Sequence, residues 1–182
     1  SEDTLMTGNS IFGTDRSWFV RASYISLYDD IMNDSDWHTQ IVNGTAGIGK
    51  SYFLLYTLAR VRCAGKCALL HYHRTLDETA VAGFCPAGGG APTCSFANEP
   101  NYHTNFYQWY RLVGDAHSVI LVDGVVSFTP DDVQGVKHIT AKSPSCSIGW
   151  MDKDQNRFDR WLDWWSQAEL LSYAKQVGIT DA

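Results

Sequence analysis

One segment of the chain has the residue types and the spacing needed to bind phosphate groups. Residues 44–51, called the glycine loop here, read Gly-Thr-Ala-Gly-Ile-Gly-Lys-Ser and fit the pattern G-x-x-x-x-G-K-[ST]. Glycines let the backbone adopt positive φ angles, so successive N–H groups can point at one anion, and a following helix adds the positive end of its dipole. Lys50 would contact the β- and γ-phosphates, and the Ser51 hydroxyl would bind Mg²⁺. The residues predicted to bind the triphosphate of ATP are Gly44, Thr45, Ala46, Gly47, Ile48, Gly49, Lys50, Ser51 and Tyr52.

A second candidate is Asp123, which ends the apolar run Ser-Val-Ile-Leu-Val at residues 118–122. Such runs are typical of strands that are buried on both faces. A carboxylate at the end of a strand near the glycine loop can hold magnesium through its water shell. We therefore predict that Ser51 and Asp123 share one metal ion. The alternative is that Asp123 only begins a turn with Gly124.

The predicted catalytic residues are Lys50, Asp123 and Ser143. Ser143 follows a predicted strand and could contact the γ-phosphate or position a water molecule, although a serine before proline is also ordinary turn chemistry. Arg157 and Arg160 are candidates for sensing the γ-phosphate. For both arginines the alternative is a surface ion pair.

A general base is harder to identify. Many hydrolytic enzymes with such a loop carry glutamate directly after the strand aspartate, and this chain has Gly124 there. Asp131 and Asp132 could take that role, but they fit the start of a solvated helix equally well. Slow hydrolysis, or none, is therefore an open alternative.

The elements around these residues are predicted to alternate between strand and helix. The predicted strands are residues 38–42, 68–72, 118–123, 137–141 and 157–162, and the predicted helices are residues 18–32, 50–62 and 167–177. Ser166 and Glu169 fit a capping box at the start of the last helix. This alternation predicts an α/β fold with a mostly parallel five-stranded sheet and helices on both faces. Residues 1–36 are expected to form a lead-in helical region, and residues 37–182 one core domain from a longer protein.

Composition limits the remaining function classes. The 182 residues are 45% hydrophobic, which suits a single α/β domain with a buried core. The net charge of −6 argues against direct binding of nucleic acid. No apolar stretch is long enough to span a membrane, so no membrane contact is predicted, while an oligomer stays open. The five cysteines favour reduced thiols over a disulfide framework or a zinc site.

A group of tryptophans lies in the last third of the chain. It consists of Trp150, Trp161, Trp164 and Trp165. Aromatic side chains can stack on nucleobases, but burial in a core or an interface is their more common role. Packing is therefore the expectation for this group.

Two blocks of the sequence resemble a known family. Residues 18–24 read Trp-Phe-Val-Arg-Ala-Ser-Tyr, and residues 42–56 contain the glycine loop followed by Tyr-Phe-Leu-Leu-Tyr. Both resemble the NTPase domain shared by Crinkler effectors and trypanosomal retrotransposon hot spot proteins, which shows F-V-R-x-x-Y and G-T-P-G-I-G-K-S-x-F-L-x-Y. Ala46 replaces the usual proline, which leaves the phosphate-binding amides in place.

Three later segments are also similar to that family, and they extend the resemblance over residues 18–171. They are residues 121–124, 143–144 and 165–170, similar to the family's apolar-Asp-Gly, fourth-strand and P-W-S-x-x-E-L segments. Residues 162–164 depart from the pattern, because Leu-Asp-Trp stands where a Pro-Pro pair is common.

The resemblance implies a Mg²⁺-dependent P-loop NTPase of the additional-strand class, with the sheet order 5-1-4-3-2. It also implies a secreted effector that acts inside host cells, in the nucleus or the cytoplasm. A host protein or a C-terminal effector domain would be its partner, and the chain stops too early to contain such a domain. The expected activity is ATP hydrolysis. The alternative, favoured by Gly124, is a nucleotide-gated binding module with little or no turnover.

Overall fold

The computed structural model describes residues 5–8, 16–35, 39–73, 79–84, 119–124, 136–142 and 157–179. Within these ranges the chain forms eight strands and three helices. The strands are β1 (Leu5–Gly8), β2 (Arg16–Phe19), β3 (Thr39–Asn43), β4 (Ala68–His73), β5 (Thr79–Phe84), β6 (Val119–Asp123), β7 (Lys137–Ala141) and β8 (Arg157–Trp161). The helices are α1 (Ala22–Asn33), α2 (Lys50–Cys63) and α3 (Gln167–Gln176).

Six of the strands form one sheet in the order β5-β4-β6-β7-β3-β8. Five neighbouring strands are parallel to one another, namely β4, β6, β7, β3 and β8. Strand β5 pairs with β4 at one edge of the sheet and is antiparallel to it. Numbered along the chain, the parallel strands have the order 5-1-4-3-2. The predicted α/β class and five-stranded parallel sheet are confirmed, and the order agrees with the one that the resemblance implies. The edge strand β5 was not predicted.

The predicted lead-in helix is wrong at its start. Residues 18 and 19 belong to β2, whose Phe19 pairs with Leu5 and whose Trp18 pairs with Met6 of β1 in a separate two-stranded sheet. Aromatic side chains suit a strand, and the partner strand was not recognised in the sequence. As a result α1 begins at Ala22, four residues later than predicted. The other predicted helix and strand ends lie within one residue of those observed.

Both faces of the parallel sheet are buried along β3, β4, β6 and β7, as the apolar run at residues 118–122 predicts, whereas the edge strand β8 is exposed or half-buried. Alternate strand residues, with Val42, Leu121 and Ile139 among them, cluster with α1 and α2 on one face. Their neighbours Ile41 and Ile120 face the other way and are buried as well. Helices on this second face stay a prediction. None of the described helices is long and apolar enough to cross a membrane.

Candidate functional site

The glycine loop connects the end of β3 to the start of α2, in the predicted order of strand, loop and helix. Gly47 and Gly49 have φ angles of +75° and +101°, in the left-handed region that glycine adopts without strain. Gly49 is also the residue that precedes the first turn of α2. The loop therefore ends at the helix N-terminus, where backbone N–H groups and the helix dipole favour an anion.

Gly49 is required for space as well as for conformation. A Cβ atom at this position would lie 2.1 Å from the Tyr24 hydroxyl oxygen, which is closer than any real contact. That hydroxyl donates a hydrogen bond of 2.9 Å to the Gly49 carbonyl oxygen. Burial raises the pKa of Tyr24 to about 12, so its hydroxyl keeps its proton and remains a donor at physiological pH. Tyr24 of α1 thus holds the end of the glycine loop.

Lys50 folds back over the glycine loop. Its ammonium nitrogen donates hydrogen bonds of 2.8 Å to the carbonyl oxygens of Gly44 and Thr45. Burial lowers the pKa of Lys50, and the negative charge of Asp123 acts in the opposite direction. The Lys50 charge therefore lies at the mouth of the glycine loop and within electrostatic range of the predicted metal ligand.

The structure brings Ser51 and Asp123 together. Ser51 lies in the first turn of α2 and Asp123 is the last residue of β6, yet both line one cavity of about 240 Å³. A hydroxyl and a carboxylate are hard oxygen donors, which suit Mg²⁺ when it keeps several of its water ligands. The two residues therefore have the donor groups of the predicted metal site, and they line the same cavity because the sheet places β6 against α2.

The remaining walls of this cavity are apolar. They are formed by Tyr52, Leu54, Leu55, Leu70 and Tyr72. Tyr52, predicted to contact the nucleotide, is half-exposed, whereas Tyr72 of β4 is buried and was not predicted. Among the described residues that line the cavity, Asp123 is the only carboxylate.

Arg21 connects the glycine loop to a distant part of the chain. Its side chain is fully buried, and its Nη1 donates a 3.0 Å hydrogen bond to the Ile48 carbonyl oxygen. Its Nη2 donates to the carbonyl oxygens of Asp163 at 2.8 Å and Trp164 at 3.0 Å. These two residues belong to the edge segment, defined here as residues 161–166, which leads from the last residue of β8 to α3. One guanidinium thus holds the loop and the edge segment together.

The charge of Arg21 is balanced by Glu169 of α3. Arg21 donates to its two carboxylate oxygens at 3.2 and 3.3 Å, and the Arg21 guanidinium lies 4.6 Å from the centre of the Trp165 ring. Ser166 and Glu169 exchange the two hydrogen bonds of a capping box, as predicted. Burial alone would raise the pKa of Glu169, but the hydrogen bonds from Arg21 and Ser166 outweigh it and hold this pKa below its usual value.

No role was predicted for Arg21 from the sequence, although Arg21 and its partners all belong to segments that had been singled out. Arg21 and Tyr24 belong to the F-V-R-x-x-Y block, and Trp165, Ser166 and Glu169 belong to the W-S-x-x-E block. The presence of both segments in one chain was the only sequence signal for a contact between Arg21 and Glu169. Because 148 positions separate Arg21 from Glu169, no local pattern could show that they meet.

Arg157 and Arg160 form ion pairs. Arg160 contacts Asp34 at 2.7 Å and Gln40 at 3.0 Å, and Arg157 contacts Asp159 at 2.9 Å. The ion-pair alternative is therefore what the structure shows for both arginines.

Several predicted residues lie outside the part of the chain that the structure describes. These are Ser143, Asp131, Asp132 and Trp150. Of the other tryptophans, Trp165 is partly buried and its ring centre lies 5.7 Å from that of Phe19. Trp161 and Trp164 are 70% and 72% exposed, so these two side chains do not pack in the core, and their packing at an interface stays a prediction.

The chain was also compared with known proteins. No family model matches it, and no curated protein matches it either. The assignment of a function therefore depends on the chemistry of the site.

Proposed function

We propose that the chain binds ATP with Mg²⁺ at the glycine loop and hydrolyses it. The observation that carries this proposal is that Ser51 and Asp123 line one cavity next to Lys50, at the N-terminus of α2. A cation, a phosphate-binding helix end and two hard oxygen ligands are the groups that phosphoryl transfer from a nucleotide requires.

Each residue has a defined part in the proposed site. The loop amides and the α2 N-terminus bind the phosphate oxygens, and Lys50 exchanges its carbonyl partners for the β- and γ-phosphates. Ser51 and Asp123 would hold the magnesium, which would neutralise charge on the phosphoryl group when bound. Ser143 stays a predicted contact of the γ-phosphate.

The pairing of Arg21 with Glu169 supports a wider proposal about the kind of protein. It joins two of the segments, residues 18–24 and residues 165–170, through which the chain resembles the Crinkler and retrotransposon hot spot NTPase domain. We accordingly propose an NTPase domain of that type, from a secreted effector that acts in host cells on a host protein or through a C-terminal domain.

A second candidate function is a nucleotide-gated binding module with little turnover. Gly124 occupies the position of a hydrolytic glutamate, and the described part of the cavity offers no carboxylate besides Asp123. Arg21 also connects the glycine loop to α3, so a conformational change in the loop on nucleotide binding can be transmitted to α3.

Calorimetric titration with ATP and excess Mg²⁺, run beside a phosphate-release assay, tests both candidates. Wild type should bind ATP, Lys50→Ala should lose binding, and Lys175→Ala on the exposed surface of α3 should behave as wild type. Binding with phosphate release supports the hydrolase, and binding without release supports the gated module. If wild type does not bind ATP, both candidates are wrong.

A further inference from the structure

Trp161 and Trp164 are two large aromatic side chains that are exposed to solvent near the glycine loop. Both belong to the edge segment, and about seven-tenths of each side chain is open to solvent. Tryptophans are highly buried on average, and exposed apolar groups next to a polar site commonly mark a binding surface. If they lie close to the glycine loop, they can contact a ligand that is bound there.

The backbone places Trp161 beside the start of the glycine loop. In the pairing of β8 with β3, Trp161 is the register partner of Asn43, which directly precedes Gly44. The Leu162 N–H group donates a 3.0 Å hydrogen bond to the Asn43 carbonyl oxygen. A Cβ atom at Gly44 would lie 3.4 Å from the Leu162 carbonyl oxygen. The edge segment and the first residue of the loop are thus in direct contact.

Arg21 fixes Trp164 relative to the other end of the loop. The same guanidinium binds the carbonyl oxygen of Trp164 and that of Ile48, which lies two residues before Lys50. The backbone of the edge segment is therefore held at both ends of the glycine loop, while the two indole rings remain exposed. A preformed aromatic surface costs little ordering when a flat ligand binds to it.

The sheet order places Asp123 and the edge segment on opposite sides of β3, the strand that leads into the glycine loop. Asp123 lies at the end of β6, which is separated from β3 by β7, whereas β8 pairs with β3 on its opposite side. If the terminal phosphates and the metal bind at Asp123, a nucleotide that lies along the glycine loop places its ribose and base on the side away from β6. That direction leads toward β8 and the edge segment.

From these observations we infer that Trp161 and Trp164 form a stacking surface for the nucleobase of the nucleotide bound at the glycine loop. The inference rests on the proposed nucleotide binding and specifies where the base lies. Every nucleobase has a π face, so stacking of this kind accepts different bases. ATP and GTP should therefore bind with similar affinities, and both should bind more tightly than inorganic tripolyphosphate.

The test compares ligands with and without a base. Affinities for ATP, GTP and tripolyphosphate, each with excess Mg²⁺, are measured by calorimetry for wild type and for Trp161→Ala, Trp164→Ala and the double variant. Leu171→Ala, which also removes an exposed apolar side chain, is the matched control. Loss of stacking should weaken ATP binding by about 5-fold to about 150-fold and leave tripolyphosphate binding unchanged. Trp161→Phe should restore most of the affinity that Trp161→Ala loses.

Each other outcome contradicts the inference in a different way. Unchanged ATP affinity in the double variant overturns it, because the base would then not contact either tryptophan. An equal loss of ATP and tripolyphosphate affinity overturns it too, because the substitutions would then act on the glycine loop. Wild type that binds neither ligand overturns the proposed function itself, whereas wild type that binds both with equal affinity overturns only the stacking surface.

Discussion

On its β6 and β7 side the glycine loop borders the buried interior, whereas on its β8 side it borders an exposed edge. Leu121 and Ile139 on the interior side are completely buried. On the edge side, Phe158 and Trp161 of β8 are exposed, and α3 contains no buried residue. The two sides therefore need different forces to hold the loop in place.

The interior side is held by packing, because apolar strand residues fix β6 and α2 against each other. The edge side is held by hydrogen bonds and charge, chiefly those of Arg21. This difference has a functional consequence. Ser51 and Asp123 are carried by elements packed into the core, which suits a metal site, while the edge segment depends on one polar network that connects the loop to α3.

The largest expected effect on stability comes from removing Arg21, whose hydrogen bonds hold the edge side of the glycine loop. Arg21→Leu should reduce the free energy of unfolding by about 3 to 5 kcal/mol, because it leaves the Glu169 carboxylate without its buried partner. Urea denaturation measures the change. Asp29→Asn is the control, since it breaks only the exposed 3.6 Å ion pair with Arg60, and the loss of that pair should change stability by less than about 1 kcal/mol. Equal effects of the two substitutions would contradict the special role of Arg21.

The next largest effect should come from the loop glycines. Gly49→Ala and Gly47→Ala each place a side chain at a positive φ angle, which costs about 1 to 2 kcal/mol. Only Gly49→Ala also collides with the Tyr24 hydroxyl, since nothing lies within 4 Å of a Cβ at Gly47. Gly49→Ala should therefore reduce thermal stability and ATP affinity more than Gly47→Ala does. Adding Tyr24→Phe should recover part of the Gly49→Ala loss, and an absence of recovery would show that the collision is not the cause.

On the interior side we expect an effect on ligand binding alone, with little change in stability. Asp123→Asn should weaken the Mg²⁺-dependent part of ATP binding by about 10-fold to about 100-fold, because the metal loses a charged partner. Stability should stay close to that of wild type, since Asp123 is partly exposed at the end of its strand. Titrations with and without Mg²⁺ measure the difference. If Asp123→Asn lowered both titrations equally, the assignment of Asp123 to the metal would be wrong.

The smallest effect concerns pH. The pKa of Glu169 in the folded protein lies below its ordinary value of 4.5, so at acidic pH the unfolded chain binds more protons than the folded one. The stabilisation by Glu169 is therefore complete above its ordinary pKa and is lost as the pH falls through the lower folded value. The stability difference between wild type and Glu169→Gln, on the order of 1 kcal/mol at neutral pH, should shrink as the pH falls below 4.5. A difference that grew under acid would refute this coupling.

Local patterns accounted for much of the fold. Short strand-like segments, only some of them apolar runs, predicted all five parallel strands, and the Ser166–Glu169 spacing predicted the capping box that begins α3. In contrast, the last two residues of β2 were predicted as the start of a helix, because the pairing of β2 with β1, seven residues earlier in the chain, leaves no periodic signal. The edge strand β5 was missed for a similar reason, since only its pairing with β4 makes it part of the sheet.

For the candidate site, the sequence by itself determined the glycine loop and its lysine and serine, because a phosphate-binding loop is a contiguous run of backbone and side chains. It also indicated Asp123 as a strand-ending carboxylate. Only the tertiary structure brought Asp123 to the same cavity as Ser51, connected Arg21 to Glu169, and left Trp161 and Trp164 exposed. Contacts and exposure depend on which distant segments pack together, and that is a property of the folded chain rather than of any short stretch of its sequence.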